Sequence, residues 1–299
     1  MNAADNPFFR TLEISDVTLR VRDLSRIDRF YRDALGLVSR KTGNGTALST
    51  APDAPPLLRL QHAPGAAIRR EGEAGLFHVA ILFPDRGSLA QAARRLVRLD
   101  VSFGASGHGV SEALYLADPE GNGIELYADR PVEDWPASDD GENVNMHTLH
   151  LDVGALLAAE AETQPPAASV PAGTHIGHVH LSVSDLGRSE ALYRGVVGFR
   201  VRQRNYAGAL FLGLDGYHHH LAINVWQSSR PAAPGSAGLA SLTLAFHDSQ
   251  AFEETRGRMA AEEPGATGSG ESLSLNDPDG WTIRVARDFD LRRDEETRR

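Results

Sequence analysis

Apolar residues alternate at Val17, Leu19 and Val21, the period of a strand with one buried face. They then recur at helical spacing through Ile27, Phe30, Tyr31, Ala34 and Leu35 until Gly36 stops the helix. Short strands are expected next at 46–50 and 57–62. The order restarts with a strand at 76–83, a helix at 88–99 that lines up Leu89, Ala93, Leu96 and Val97, and strands near 112–117 and 122–128. Each stretch of about 55 residues thus reads as strand, helix and about three strands.

The pattern repeats as sequence as well as hydropathy. ISDVTLRVRDLSRIDRFYRDALGL (14–37) and IGHVHLSVSDLGRSEALYRGVVGF (176–199) align without a gap at an offset of 162, with 10 of 24 positions identical, Tyr31/Tyr193 and Gly36/Gly198 among them. GLFHVAILF (75–83) likewise matches GLASLTLAF (238–246), and LADPEGNGIEL (116–126) matches LNDPDGWTIRV (275–285). The chain is therefore two copies of a two-module unit, and repeats of this size decide the architecture before any single element does. The expected organisation is a first copy at 10–130, a linker at 131–174 rich in proline, acid and alanine, a second copy at 175–290 and a charged tail at 291–299, read as solvated.

Composition narrows the functional classes. A chain of 299 residues can bury two cores, and its formal charge of -10 argues against nucleic acid or an anionic membrane as partner. No apolar run reaches membrane-spanning length, and MNAADNPFFR lacks the basic start and apolar core of a secretory signal, so a cytoplasmic location is expected. Cysteine is absent, which leaves histidine and carboxylate as the side chains for any metal site.

One stretch holds an anomaly. In HGVSEALYLADPEGNGIELY (108–127), Asp118, Pro119 and Gly121 are ordinary turn residues, but Glu125 stands between Ile124 and Leu126. A carboxylate in an apolar run must face solvent, be paired, or meet something positive. Strand parity puts His78 with Ala80 and Leu82, opposite Phe77, Val79 and Ile81; it puts Glu125 with Gly123 and Tyr127, and His178 with His180 and Ser182.

Four such units, with IxxVxLxVxDLxR opening each copy and a terminal DPxGxxIE, resemble the vicinal oxygen chelate superfamily. The resemblance covers nearly the whole chain outside the linker. It implies an α+β fold of four βαβββ modules that assemble into two cup-like half-barrel pairs. His108, Leu114, Tyr115, Asp118, Pro119, Gly121 and Glu125 are similar to the signature of extradiol ring-cleaving dioxygenases, with Ser106 a mild departure. Together with GxxHxAIL and GYHHHLAIN, they make the chain most similar to bacterial two-copy catechol 2,3-dioxygenases.

Such sites take a histidine from the first strand of one module, a histidine from the first strand of its partner, and the glutamate that ends the partner. By this rule neither copy is complete: the first offers Asp16, His78 and Glu125, the second His178, Ser241 and Arg284. The middle modules together supply His78, Glu125 and His178. The resemblance therefore implies that modules two and three share one metal-binding cup. Modules one and four are left with Asp16, Ser241 and Arg284, where the carboxylate and the guanidinium can pair. Two histidines and a carboxylate suit Fe(II), with Mn(II) as the alternative. The family's paired-histidine segment puts His219 at the acid/base position, with His220 second on parity, and gives His108 and Tyr115 hydrogen-bonding roles at the substrate.

The implied activity is extradiol cleavage of a small aromatic diol by O2, with no organic cofactor, while homo-oligomerisation stays open. A glyoxalase-like lyase or isomerase and a metal-free binding protein of the resistance type are the competing readings. The former usually has a second glutamate near position 220, where this chain has a histidine run, and the latter has no need of a complete triad. Taken singly, His78 or His178 would more often be a structural histidine, so the reading rests on their joint fit with Glu125.

Overall fold

The computed structural model describes residues 6–138, 143–158, 169–262, 266–269 and 272–288. Parts of the expected linker (139–142 and 159–168) and the charged tail at 291–299 lie outside them.

Module one comprises β1 (Leu12–Val21), α1 (Leu24–Phe30), β2 (Val38–Thr42), β3 (Gly45–Ser49) and β4 (Pro56–His62). Module two comprises β5 (Gly75–Leu82), α2 (Arg86–Arg98), β6 (Gly104–Gly107), β7 (Ser111–Ala117) and β8 (Gly123–Asp129). Module three has β9 (His175–Ser182), α3 (Leu186–Glu190), β10 (Arg200–Gln203), β11 (Ala209–Gly213) and β12 (Leu221–Asn224). Module four has β13 (Gly238–Phe246), α4 (Ser249–Glu262), β14 (Thr267–Ser269), β15 (Ser272–Asn276) and β16 (Thr282–Arg287). The fold is α+β, built from four βαβββ modules. Among the described residues no helix is long and apolar enough to cross a membrane.

The same local chemistry starts the first three helices. Asp23, Asp85 and Asp185 each accept a hydrogen bond from the backbone N–H three residues on, satisfying a donor that the first turn leaves free. In both copies the helix continues as a π-turn, Tyr31–Leu35 and Ala191–Val197, and ends on a left-handed glycine, Gly36 or Gly198. The tyrosine shared by the copies has a structural use. Tyr31 donates to Asp118 at 3.4 Å and Tyr193 to Asp277 at 2.7 Å, so within each copy the first module's helix grips the Asp-Pro turn of the second.

The sheets pair differently, across the copies. β1 runs antiparallel to β13, which joins modules one and four into an eight-stranded outer sheet of order β14-β15-β16-β13-β1-β4-β3-β2. β5 runs antiparallel to β9, which joins modules two and three into an inner sheet of order β6-β7-β8-β5-β9-β12-β11-β10. Leu149–His150 extends the β6 edge. Val17, Leu19, Leu242 and Ile283 from the outer sheet share one buried cluster with Val79, Ile81, Ile124, Leu126, Val179 and Leu181 from the inner sheet. Each such side chain contributes about 1.5–3 kcal/mol by leaving water, so the alternation locks the register. A slip by one residue would drive His78, His178 and Glu125 into that core.

The stretch read as a linker is more structured than its composition suggests. Ala137 bridges Val144, a short helix spans Val153–Ala158, and Val144, Met146, Leu151 and Leu156 are buried. A few apolar residues in a polar, proline-rich background are enough to fasten it to the modules.

Candidate metal centre

His78 (β5), Glu125 (β8) and His178 (β9) stand on three adjacent strands, all buried, with one potential ligand atom from each lying within 4.8 Å of the others. Glu125 Oε2 is 2.9 Å from His78 Nε2 and 3.1 Å from His178 Nε2. Despite its short distance, His78 Nε2 lacks the alignment of a hydrogen bond and has no other partner. His178 Nε2 meets the same carboxylate oxygen in a hydrogen bond, so His78 Nε2 is the ligand atom left without a partner. Buried polar atoms are rarely left in that state. Burial opposes ionisation of Glu125, but the two imidazoles outweigh it and hold the carboxyl well below its ordinary value. Burial also lowers His178 to about 4, so it is neutral. A neutral nitrogen, an ionised oxygen and an orphaned nitrogen fit a divalent metal of nitrogen/oxygen preference.

Two β-bulges shape this floor. One falls between Ile176 and His178, where a Cβ on Gly177 would lie 1.8 Å from the Tyr127 hydroxyl, so only glycine admits that tyrosine beside His178. The other falls at Phe77 and changes the expected parity. Phe77 does not turn to the core: its ring lies 4.9 Å from His180 and 5.5 Å from Trp226, on the same side as His78. An extra residue on one strand lets two consecutive side chains share a face.

Tyr115 sits directly across from Glu125 in the β7/β8 ladder and lies 2.6 Å from His108 Nε2 through its hydroxyl. Burial, then the Glu125 charge, raises the Tyr115 pKa well above its ordinary value, while burial lowers that of His108. Tyr115 therefore keeps its proton, and His108 is neutral.

The histidine run does not lie inside a strand, as its sequence pattern suggests. His218 to His220 precede β12 in the turn after β11, so parity does not govern them. The His219 ring lies 4.1 Å from that of His178 and faces the centre. His220 points the other way: its Nε2–H donates to Phe8 O at 2.9 Å and its Nδ1 accepts from Leu214 N–H at 3.2 Å. Burial lowers His219 well below its ordinary pKa and His220 to about 3.

Some residues were not assigned from sequence. His180 faces His78 in the β5/β9 pair with rings 5.0 Å apart, and its Nε2 lies 2.9 Å from the Asn224 amide. Its place two residues after His178 was the available signal. Phe211, 5.0 Å from His219, belongs to a buried apolar cluster with Ala222, Val110 and the linker's Val144 and Met146. No sequence pattern announces that the linker reaches this wall.

Among the described residues the outer sheet has no counterpart. Asp16 makes its ion pair with Arg59, at 3.1 Å, a partner other than the expected Arg284. The parallel register of β1 and β4, which pairs Thr18 with Arg59, brings that guanidinium alongside.

The model of the Glyoxalase/Bleomycin resistance protein/Dioxygenase superfamily matches residues 13–126 and 175–285. The chain is 37% identical over 265 residues to a catechol-2,3-dioxygenase of Bacillus subtilis (strain 168), covering 82% of this chain and 92% of that protein. Glyoxalase I of Zea mays has the same fold, with a TM-score of 0.56 at 18% identity over 96% of each chain. So has the CppA protein of Streptococcus pneumoniae TIGR4, at TM-score 0.57 and 12% identity over 93% of this chain and 98% of that one. The matched segments are the two copies found by internal alignment, and the chain belongs to the glyoxalase/bleomycin resistance protein/dioxygenase superfamily.

Proposed function

We propose that the protein is an Fe(II)-dependent extradiol dioxygenase that opens the ring of a catechol-type substrate with O2. The observation that carries this reading is the convergence of His78, His178 and Glu125 beside two separate proton-handling groups, His219 and the Tyr115/His108 pair. His78, Glu125 and His178 would hold the iron, which when bound would supply Lewis acidity and an electron path between diol and dioxygen. Mn(II) suits the same ligand types.

The remaining work falls to the chain. Neutral His219 takes a proton from a diol hydroxyl and returns it at ring opening, so the proton balance closes, while the diol and O2 combine into one product that holds both oxygen atoms. Tyr115, held protonated, donates a hydrogen bond where negative charge develops on oxygen, and His108 orients it. The buried walls keep water from the reacting atoms. A glyoxalase-like proton transfer would call for a second carboxylate near His220, and that ring is committed to the Phe8 carbonyl.

Metal analysis of anaerobically purified protein tests the reading, together with a spectrophotometric screen of substituted catechols. About one iron or manganese per chain and yellow ring-opened products are expected. Protein loaded with metal that cleaves no catechol yet isomerises a thiohemiacetal would replace the reading with the lyase.

A further inference from the structure

Behind His219 runs a chain of polar groups, buried except at Asp129, that the proposed chemistry leaves unused. His219 Nδ1 lies 2.7 Å from His218 Nδ1, and His218 Nε2 lies 3.0 Å from Asp129 Oδ1. The other carboxylate oxygen, Oδ2, accepts from the Tyr217 hydroxyl at 3.0 Å, and Tyr217 meets the Tyr127 hydroxyl at 2.7 Å. His218 is 1% exposed, and its ring stacks on Tyr217 with centroids 4.0 Å apart. Asp129 stands four residues after Glu125 on β8 and so shares its face.

With one proton on each imidazole, proton counting along this chain leaves one arrangement. Two Nδ1 atoms 2.7 Å apart share a single proton, one as donor and one as acceptor. A carboxylate only accepts, so a single proton on the His218 ring sits on Nε2, pointing at Asp129. His218 Nδ1 is then a lone pair. His219 must therefore carry its proton on Nδ1, which leaves Nε2 as the basic nitrogen. That atom has no hydrogen-bonding partner among the described residues, so it is open to a substrate hydroxyl.

We propose that Asp129, acting through His218, is a positioning residue that fixes His219 in the tautomer whose free lone pair is on Nε2. The inference rests on the reading of His219 as the acid/base group. Asp129 touches no substrate; it sets which nitrogen of a ring two bonds away can accept a proton. A carboxylate that orients a histidine by its far nitrogen is a general device, here extended by one more imidazole.

The test is Asp129→Asn. The amide oxygen takes the Tyr217 hydroxyl and the amide NH2 donates to His218 Nε2, which moves the His218 proton to Nδ1 and forces the His219 proton onto Nε2. Two-bond 15N–1H correlation spectra of the full-length, metal-free protein read each ring's tautomer directly. Wild type should show His219 protonated on Nδ1, and Asp129→Asn should show both rings switched. In the iron-loaded enzyme, kcat should fall by about a hundredfold or more with metal content and KM kept. Tyr217→Phe, which keeps the carboxylate, should leave the tautomers unchanged and kcat within a few-fold.

A wild-type His219 protonated on Nε2 overturns the proposal, as does an Asp129→Asn protein with unaltered tautomers. A kcat loss in Tyr217→Phe equal to that of Asp129→Asn, with the wild-type tautomer retained, also overturns it, because the network would then act only through packing. The tautomer spectra need no turnover. Failure of the dioxygenase reading would appear separately, as wild-type protein that cleaves no catechol.

Discussion

The inner and outer sheets are assembled from the same module, yet equivalent positions hold different chemistry. Where the inner sheet has His78, Glu125 and His178, the outer has Ser241, Arg284 and Asp16. The inner set is buried with its ligand atoms within 4.8 Å of one another, while the outer carboxylate is tied to Arg59. Yet the features that hold each copy together are kept in both: aspartate caps on the first helices, the π-turn and left-handed glycine, and the tyrosine gripping the Asp-Pro turn. Duplication kept the folding contacts within each copy and let the ligand positions diverge. Because the sheets pair across copies, half a site in each copy suffices.

The contrast breaks most sharply at the metal. Glu125→Gln removes the one carboxylate of the inner set and should abolish both metal binding and ring cleavage. Arg284→Gln in the outer sheet should retain about one metal per chain and wild-type turnover. Elemental analysis after anaerobic purification distinguishes them. Full metal content in Glu125→Gln would remove the basis for separating the sheets.

The two sheets should also respond to pH with opposite sign. In the outer half, burial raises Asp277 to about 7 from 3.8, so the folded state holds this proton where the unfolded chain has lost it. Its contribution is full below the unfolded value and is lost as pH rises through about 7, an effect of roughly 4 kcal/mol. Beside the inner sheet, burial lowers His220 from 6.5 to about 3, so stability present above 6.5 is lost as pH falls through the folded value. Urea unfolding of wild type and Asp277→Asn from pH 4 to pH 8 checks the first term. The variant should gain on wild type steadily as pH rises, and parallel curves would show that Asp277 does not titrate near neutrality.

Within the inner half, the adjacent histidines should separate chemistry from stability. His219→Ala should keep its metal and lose about a hundredfold in kcat, near 2.7 kcal/mol of transition-state stabilisation. His220→Phe strands the Phe8 carbonyl and the Leu214 N–H, so it should lower stability by about 1–3 kcal/mol while kcat stays within a few-fold. Denaturant midpoints and steady-state kinetics on both variants decide it. A His220→Phe enzyme that folds normally but does not turn over would exchange the two roles.

Much of this was legible in the sequence, for identifiable reasons. The gapless repeat and the alternation around Val17, Val79 and Val179 specify modules and faces, because register is enforced by burial of a whole strand face. The meeting of His78, Glu125 and His178 is what the family resemblance implies once its ligand rule is applied to both copies position by position. The bulges were not legible: nothing in GLFHV says that Phe77 will share a face with His78, and the need for Gly177 arises from Tyr127, some 50 residues away. Nor were the separate directions of His218, His219 and His220. These residues precede β12, and their orientations are set by Asp129 and Phe8, distant in sequence. The sequence reports periodic structure well, whereas irregular backbone gets its geometry from long-range partners.

The smallest expected effect lies in the outer sheet itself. Asp16 is buried as a residue, yet its partner Arg59 keeps a side-chain exposure of 30%, so water screens one end of the pair. Exposed and half-exposed pairs of this kind contribute about 0.2–1 kcal/mol. Asp16→Asn keeps the shape and an acceptor oxygen for Arg59, so it should shift the denaturant midpoint only slightly and leave metal content and turnover unchanged. A loss of several kcal/mol would mean that Asp16 is the sole compensation for the positive groups around it, and the outer sheet would then be an electrostatically strained site. A loss of metal would be more consequential, since it would couple the outer sheet to the inner centre through the β1/β13 seam. Unfolding curves and metal content of the single variant separate these outcomes, and the small shift is the one that follows from an ion pair with one end in water.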